Sequence, residues 1–167
     1  YDSLLLNTTA SNNTAMGLNA MRANTTGASN VAMGKNALDA NTTGGNNIAI
    51  GDGALGANET SGSNIAIGTS ALLANTGGDN VAIGQQSATT NTSGFHLTGV
   101  GAYTLFANTS AQGNTAVGHS SLRAATTGSN NTAVGKQSLC KLTTGANNAA
   151  VGQGAMCEST TAYDSIA

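Results

Sequence analysis

Polar and apolar residues alternate in one short stretch, Asn47-Ile48-Ala49-Ile50-Gly51, and the chain keeps returning to it. It recurs as Asn30-Val31-Ala32-Met33-Gly34, Asn64-Ile65-Ala66-Ile67-Gly68 and Asn131-Thr132-Ala133-Val134-Gly135. The closing glycines fall at Gly17, Gly34, Gly51, Gly68, Gly84, Gly101, Gly118, Gly135 and Gly152; seven of these eight steps are 17 residues and the step from Gly68 to Gly84 is 16. So strict a period predicts a solenoid, one supersecondary unit stacked on copies of itself.

Residues 30–46 serve as the reference unit, with Asn30 at position one. Position two is mainly Thr, Val or Ile, position three Ala, position four Met, Ile or Val, and position five Gly. Positions six and seven vary and are mostly polar. Position eight is small, and position nine is Leu or Met except at Ala88. A stretch such as Ala40-Asn41-Thr42-Thr43-Gly44 follows, which is turn chemistry: Asn and Gly tolerate left-handed backbone, and Thr hydroxyls bond nearby backbone groups. The alternating, β-branched motif reads as a strand. A 17-residue unit that holds a Gly and a Thr-Thr-Gly turn leaves no room for a stable helix. The expected fold is therefore all-β: a parallel β-solenoid (β-roll) of about ten 17-residue coils. Each coil would carry a strand at positions one to five and a second near eight to eleven. Parallel stacking about 4.8 Å apart gives a rod on the order of 45 Å long. A 17-residue coil spans at most about 60 Å of perimeter, so its interior is thin.

Side chains alternate across a strand, so positions two and four share one side and positions three and five the other. A thin interior suits Ala and Gly, with Leu at position nine filling it. Met16, Met33, Ile50, Ile67, Ile83, Val100, Val117, Val134 and Val151 then face outward as one apolar stripe. A stripe of that length is unusual on a soluble monomer, and burial against sister chains resolves it as a homo-oligomer about a long axis. The opposite orientation, with the large residues inside and Ala outside, needs no partner.

Composition narrows the function classes. The 167 residues carry five Lys or Arg and seven Asp or Glu, scattered, for a net charge of −2. Neither a nucleic-acid footprint nor a polybasic membrane contact is expected, and no apolar run approaches a membrane span. Proline is absent and aromatics are few: Tyr1, Phe95, Tyr103, Phe106 and Tyr163. The chain starts and stops in mid-repeat, so it is expected to be a segment of a longer fibre protein, with residues 1–167 as a single repeat domain. The coil from Gln85 to Gly101 is the least regular, and Phe95, His96, Tyr103 and Phe106 cluster around it. They form either a ligand-contact patch suited to a sugar ring or a filling of the space left by the missing Leu at Ala88. Cys140 and Cys157 stand 17 residues apart, at equivalent positions of successive coils. Stacking would bring their Cα atoms within reach of a disulfide, although two free stacked thiols fit as well. Asn at position one recurs at Asn13, Asn30, Asn47, Asn64, Asn80, Asn114, Asn131 and Asn148, where amides stacked in register can hydrogen-bond up the rod. The Asn of each Asn-Thr-Thr segment reads as a turn residue. No cofactor, metal site or catalytic constellation is expected: no acid pair recurs, and His96 and His119 are more than a coil apart.

The form Asn-x-Ala-[Ile/Val/Met]-Gly-x-x-[Ala/Ser]-[Leu/Met] resembles the head repeats of trimeric autotransporter adhesins, which wind parallel β-rolls into a trimer. The fuller unit, Asn131-Thr132-Ala133-Val134-Gly135-Lys136-Gln137-Ser138-Leu139 followed by Thr143-Thr144-Gly145, is similar to tandem repeats of phage tail-fibre and bacterial surface proteins. The adhesin heads use a shorter repeat, a departure that bears on coil shape. The resemblance implies a homotrimer, an extracellular, cell-surface or virion setting, and attachment to or spacing from a host surface, with a glycan or receptor as partner. A monomeric ice-binding solenoid is the rival expectation, hinted at by Thr115, Thr132 and Val117. A self-assembling extracellular filament subunit is the third.

Overall fold

The computed structural model describes residues 2–167. Nine three-residue strands follow one another: β1 (Thr14–Met16), β2 (Val31–Met33), β3 (Ile48–Ile50), β4 (Ile65–Ile67), β5 (Val81–Ile83), β6 (Thr98–Val100), β7 (Thr115–Val117), β8 (Thr132–Val134) and β9 (Ala149–Val151). They form a single parallel sheet in sequence order, each strand pairing only with the one before and the one after. The fold is a parallel β-solenoid. Its strands mark eight full turns rather than about ten; beyond β9 only Ile166 makes a further bridge, to Ala149. Register is residue to equivalent residue, as in Ala32↔Ala49, and it survives the short coil, where Ile65 pairs with Val81.

Among the described residues the expected second strand is absent. Positions seven and nine adopt left-handed backbone instead; Leu38, Leu55 and Leu122 have φ of 54°, 51° and 47°. Extended chain cannot pass through two such residues, so this side of the coil becomes consecutive tight turns. In one coil Ala20 N–H donates to the Gly17 carbonyl, Arg22 N–H to Asn19 and Asn24 N–H to Met21. Neighbouring coils still bond there, with Leu38 N–H donating to the Ala54 carbonyl at 3.0 Å. A left-handed L-residue costs on the order of 1–2 kcal/mol. The leucines meet that cost because each side chain is buried inside the coil.

The glycine at position five closes the strand. Gly51 has φ +133°, and a Cβ there would meet the Gly68 carbonyl group at 2.6 Å. Neither the backbone nor the space admits a side chain, and the same holds along the column as far as Gly135. This explains why the period is most visible at these residues.

The core is a set of in-register columns. Ala32, Ala49, Ala66, Ala116 and Ala133 of position three are fully buried, as are the leucines of position nine. The alternation expected from the sequence is therefore the observed one: Ala inside, the larger residues of positions two and four outside. Two further buried columns are asparagine. At position one, Asn Oδ1 accepts the backbone N–H of the next coil, as from Asn47 N to Asn30 Oδ1 at 2.9 Å. At position twelve the amides bond to one another: Asn41 donates to Asn24 Oδ1 at 2.8 Å, and Asn108 to Asn91 Oδ1 at 2.7 Å. Both columns also converge on one carbonyl per coil, so that Gly44 O accepts from Asn30 and from Asn41. The amide-to-amide ladder thus lies chiefly in the Asn-Thr-Thr residues that read as mere turns. Only a few position-one pairs, such as Asn148 to Asn131 Oδ1 at 2.9 Å, add such a bond.

The irregularities have local causes. The residue missing from the coil that ends at Asp79 leaves Asn75 bonded to Gly77 O, away from Asn58. Asn58 Oδ1 is then buried without a partner. The ladder resumes at Asn91, which donates to Asn75 Oδ1, and stops at Asn108, because Ala125 occupies the next place. Gly99 replaces Ala at position three because a Cβ would meet Ser87 Oγ at 2.6 Å and Thr104 Oγ1 at 2.8 Å. Those two hydroxyls, themselves 2.7 Å apart, occupy the space that Ala leaves open elsewhere.

Candidate functional site

Three parts of the surface stand out. The first is the outward side of the sheet. Stacked neighbours cover the flanks of each side chain, so Met33, Ile50, Ile67, Val117 and Val134 are half-buried. Met16 is 59% and Val151 67% exposed, since each stands at an end of the column and lacks one neighbour. Ile83 and Val100, flanking the irregular coil, are also exposed. Position two continues the face. Val31, Ile48, Ile65 and Val81 make it apolar along β2–β5, while Thr98, Thr115 and Thr132 line up in register along β6–β8.

The second part is the aromatic group. Phe95, His96, Tyr103 and Phe106 do not come together as one patch. Phe95 and His96 stack edge to face, centroids 4.9 Å apart, on the corner before β6. Tyr103 and Phe106 lie on the turn after β6, centroids 6.1 Å apart. His119 joins Tyr103 at 5.7 Å, and the Arg123 guanidinium lies 5.6 Å from the Phe106 ring centre. Among the described residues no ring contact links the two pairs. Phe95 is 41% exposed, so it does not fill the core beside Ala88. The apolar residue newly buried in this stretch is Leu97, in a place that usually holds Asn.

The third part is a shallow groove along positions seven, ten and eleven. Near the C-terminal end it has a volume of about 400 Å³ and is lined by Phe106, Ser120, Arg123, Gln137 and Lys141 among others. Lys141 is paired with Glu158 one coil further on, at 2.6 Å. Towards the N-terminal end an equivalent groove of about 530 Å³ is lined by Asn36, Asp39, Asp52 and Leu73. Burial raises the Asp39 carboxyl above its ordinary range, and the attraction of Arg22, 3.9 Å away, does not cancel that. Arg123 and Lys141 were missed as site residues by sequence reasoning. Their signal is the 17-residue period itself, which puts residues 106, 123 and 140 in one column.

Cys140 and Cys157 form a disulfide between successive coils, with Cα atoms 4.8 Å apart. Among the described residues no group of His, Cys, Asp or Glu is placed to hold a metal ion, and no helix is long and apolar enough to cross a membrane. Compared with protein-family models, curated proteins and solved structures, the chain matches none.

Proposed function

We propose that this chain is a structural and adhesive fibre segment, of the kind found in phage tail fibres and bacterial surface adhesins. In this reading it is a stiff homotrimeric rod, in an extracellular, cell-surface or virion setting, that carries or spaces a host-attachment surface. One observation carries the proposal: a single in-register parallel sheet turns an unbroken apolar column outward along β2–β5. Sister chains that cover this column remove apolar area from water at about 25 cal/mol per Å². Identical copies supply an identical column, so the contact repeats coil by coil along the axis. The role is mechanical rather than catalytic. Coil-to-coil backbone bonds and buried Asn columns resist bending and slippage. Light scattering on a sizing column tests it. The expected mass is about 49 kDa, three times the 16.2 kDa chain. A chain that stays at 16.2 kDa at every concentration overturns the trimer. A mass that grows without limit replaces it with end-to-end filament assembly.

The rival reading, an ice-binding solenoid, draws on Thr98, Thr115 and Thr132, which stand in register beside Val100, Val117 and Val134. Thermal hysteresis in dilute solution, lost in Thr115→Ala, would favour it over the fibre.

A further inference from the structure

Positive charge on this molecule is not spread evenly. Three of its five Lys and Arg residues, Arg123, Lys136 and Lys141, fall on two adjacent coils. All three are exposed. Lys136 stands one coil beyond His119 in the same column, and Arg123 stands one coil beyond Phe106. The groove beside the second of these columns has Phe106 at one end, Arg123 at its middle and Gln137 and Lys141 beyond. Glu158 lies past Lys141 and is the carboxylate nearest this stretch in the ion pairs formed. The equivalent groove at the N-terminal end presents Asp39 and Asp52 instead.

We propose that the groove from Phe106 to Lys141 binds an acidic oligosaccharide, a chain of sugar rings bearing carboxylates, laid along the rod axis. An aromatic face accepts the C–H side of a sugar ring, because the ring's negative face meets weakly positive hydrogens. The Arg123 guanidinium, held over Phe106 by cation–π attraction, presents its remaining donors to a carboxylate as a planar fork. Lys141, one coil further on and paired with Glu158, adds a second cation at the groove wall, and the Gln137 amide and Ser120 hydroxyl supply neutral hydrogen bonds for sugar hydroxyls. The coil spacing is close to the length of one sugar unit, so successive rings meet successive coils: Phe106 first, then Arg123, then Lys141. A shallow, open groove fits such a chain better than a compact metabolite, which needs an enclosing pocket. This inference gives the attachment role of the fibre reading a ligand class and rests on that reading for its biological sense.

The test is isothermal titration calorimetry of the full chain with a hexameric oligogalacturonate, beside maltohexaose as the neutral sugar and oligothymidylate as a polyanion without sugar carboxylates. Saturable binding of the oligogalacturonate alone is expected. Arg123→Gln should weaken it about tenfold, as for loss of one charge-assisted contact. Phe106→Ala should weaken it comparably, provided its melting temperature is unchanged; Arg123→Gln, fully on the surface, guards against a folding artefact. Lys35→Gln, at the acidic end, should leave it unchanged. Absence of binding, equal binding of maltohexaose, or equal weakening by Lys35→Gln overturns the proposal. Tighter binding of oligothymidylate overturns it in favour of a nucleic acid. Light scattering separates the two readings: a monomer that still binds the sugar sinks only the fibre, and a trimer that does not bind sinks only the groove.

Discussion

Strands β2–β5 and β6–β8 share one backbone, one register and one buried column, Ala except at Gly99, yet they face outward with different chemistry. Along β2–β5 both outward columns are Val, Ile or Met, and the adjoining groove is acidic. Along β6–β8 one column is Thr, and the adjoining groove carries Phe106, Arg123 and Lys141. The means of joining coils differs too. The first region is tied by buried amides at position twelve. In the second that ladder ends at Asn108, Ala125 and Leu142 take the next places, and the Cys140–Cys157 bridge ties the last two coils. The lesson is a division of labour within each coil. Gly at five, Ala at three, Leu at nine and the left-handed corners build the frame, and everything pointing outward is free to vary.

The largest effect tests whether the frame is shared. Gly51→Ala and Gly118→Ala each force a Cβ onto the next coil's glycine, at 2.6 and 2.7 Å, and each should cost about 4 kcal/mol in denaturant unfolding. Gly152→Ala, whose Cβ would meet only Ala155 at 4.0 Å, keeps the strain of φ +129° alone and should cost about 2 kcal/mol. Equal losses at all three would mean that the column is not what holds the coils in register.

Reduction of the disulfide comes next and should act on one region only. A bridge closing a 17-residue loop stabilises by about 3 kcal/mol in the chain-entropy model. Amide exchange should quicken in residues 148–167 and stay unchanged along β2–β5. Faster exchange throughout would show that the two regions open together.

The amide ladder gives a smaller contrast. Asn41→Ala removes the donor to Asn24 Oδ1 and the acceptor for Asn58, and should cost about 2–3 kcal/mol. Asn108 accepts nothing, and its own acceptor Asn91 Oδ1 also receives Gly94 N–H, so Asn108→Ala should cost about 1 kcal/mol. Thermal melts of both variants decide it.

Outward substitutions should hardly move the stability of the single chain. Ile48→Thr, which copies β8 into β3, should change it by about 1 kcal/mol or less, while shifting the light-scattering mass towards monomer. An unchanged mass would free the β2–β5 face from the subunit interface.

The smallest effect is electrostatic. Burial raises the folded pKa of Asp39, so the folded state holds its proton more tightly than the unfolded chain does. Asp39 therefore opposes folding once it is ionised. Its contribution worsens as pH rises from the ordinary carboxylate range through the raised value, and levels off above it. Asp39→Asn should give a slightly more stable protein at neutral pH and flatten the stability profile across that window, as read by melts at successive pH values.

Much of the fold was legible in the residues. The 17-residue glycine period, the Asn-Ile-Ala-Ile-Gly alternation and the small position eight were enough for the parallel solenoid and for Ala pointing inward. They suffice because a thin coil admits few side chains, so steric limits repeat in every unit and leave a periodic trace. Cys140 and Cys157 were legible as neighbours for the same reason. What escaped the sequence depended on backbone choices that a pattern of side chains does not reveal. Leu38 and its equivalents look like strand residues but lie in left-handed turns, because burying the side chain outweighs a backbone penalty of about 1–2 kcal/mol. Asn41 looks like a turn residue but lies in the core, because its amide finds partners in the coils on either side. The aromatic residues, close in sequence, were divided between two corners by strand β6, and Phe106 gained Arg123 from the next coil. Sequence determined which residues stack, since stacking follows a fixed period. Only tertiary structure decided which way each corner turns, since that depends on contacts between coils that no single unit contains.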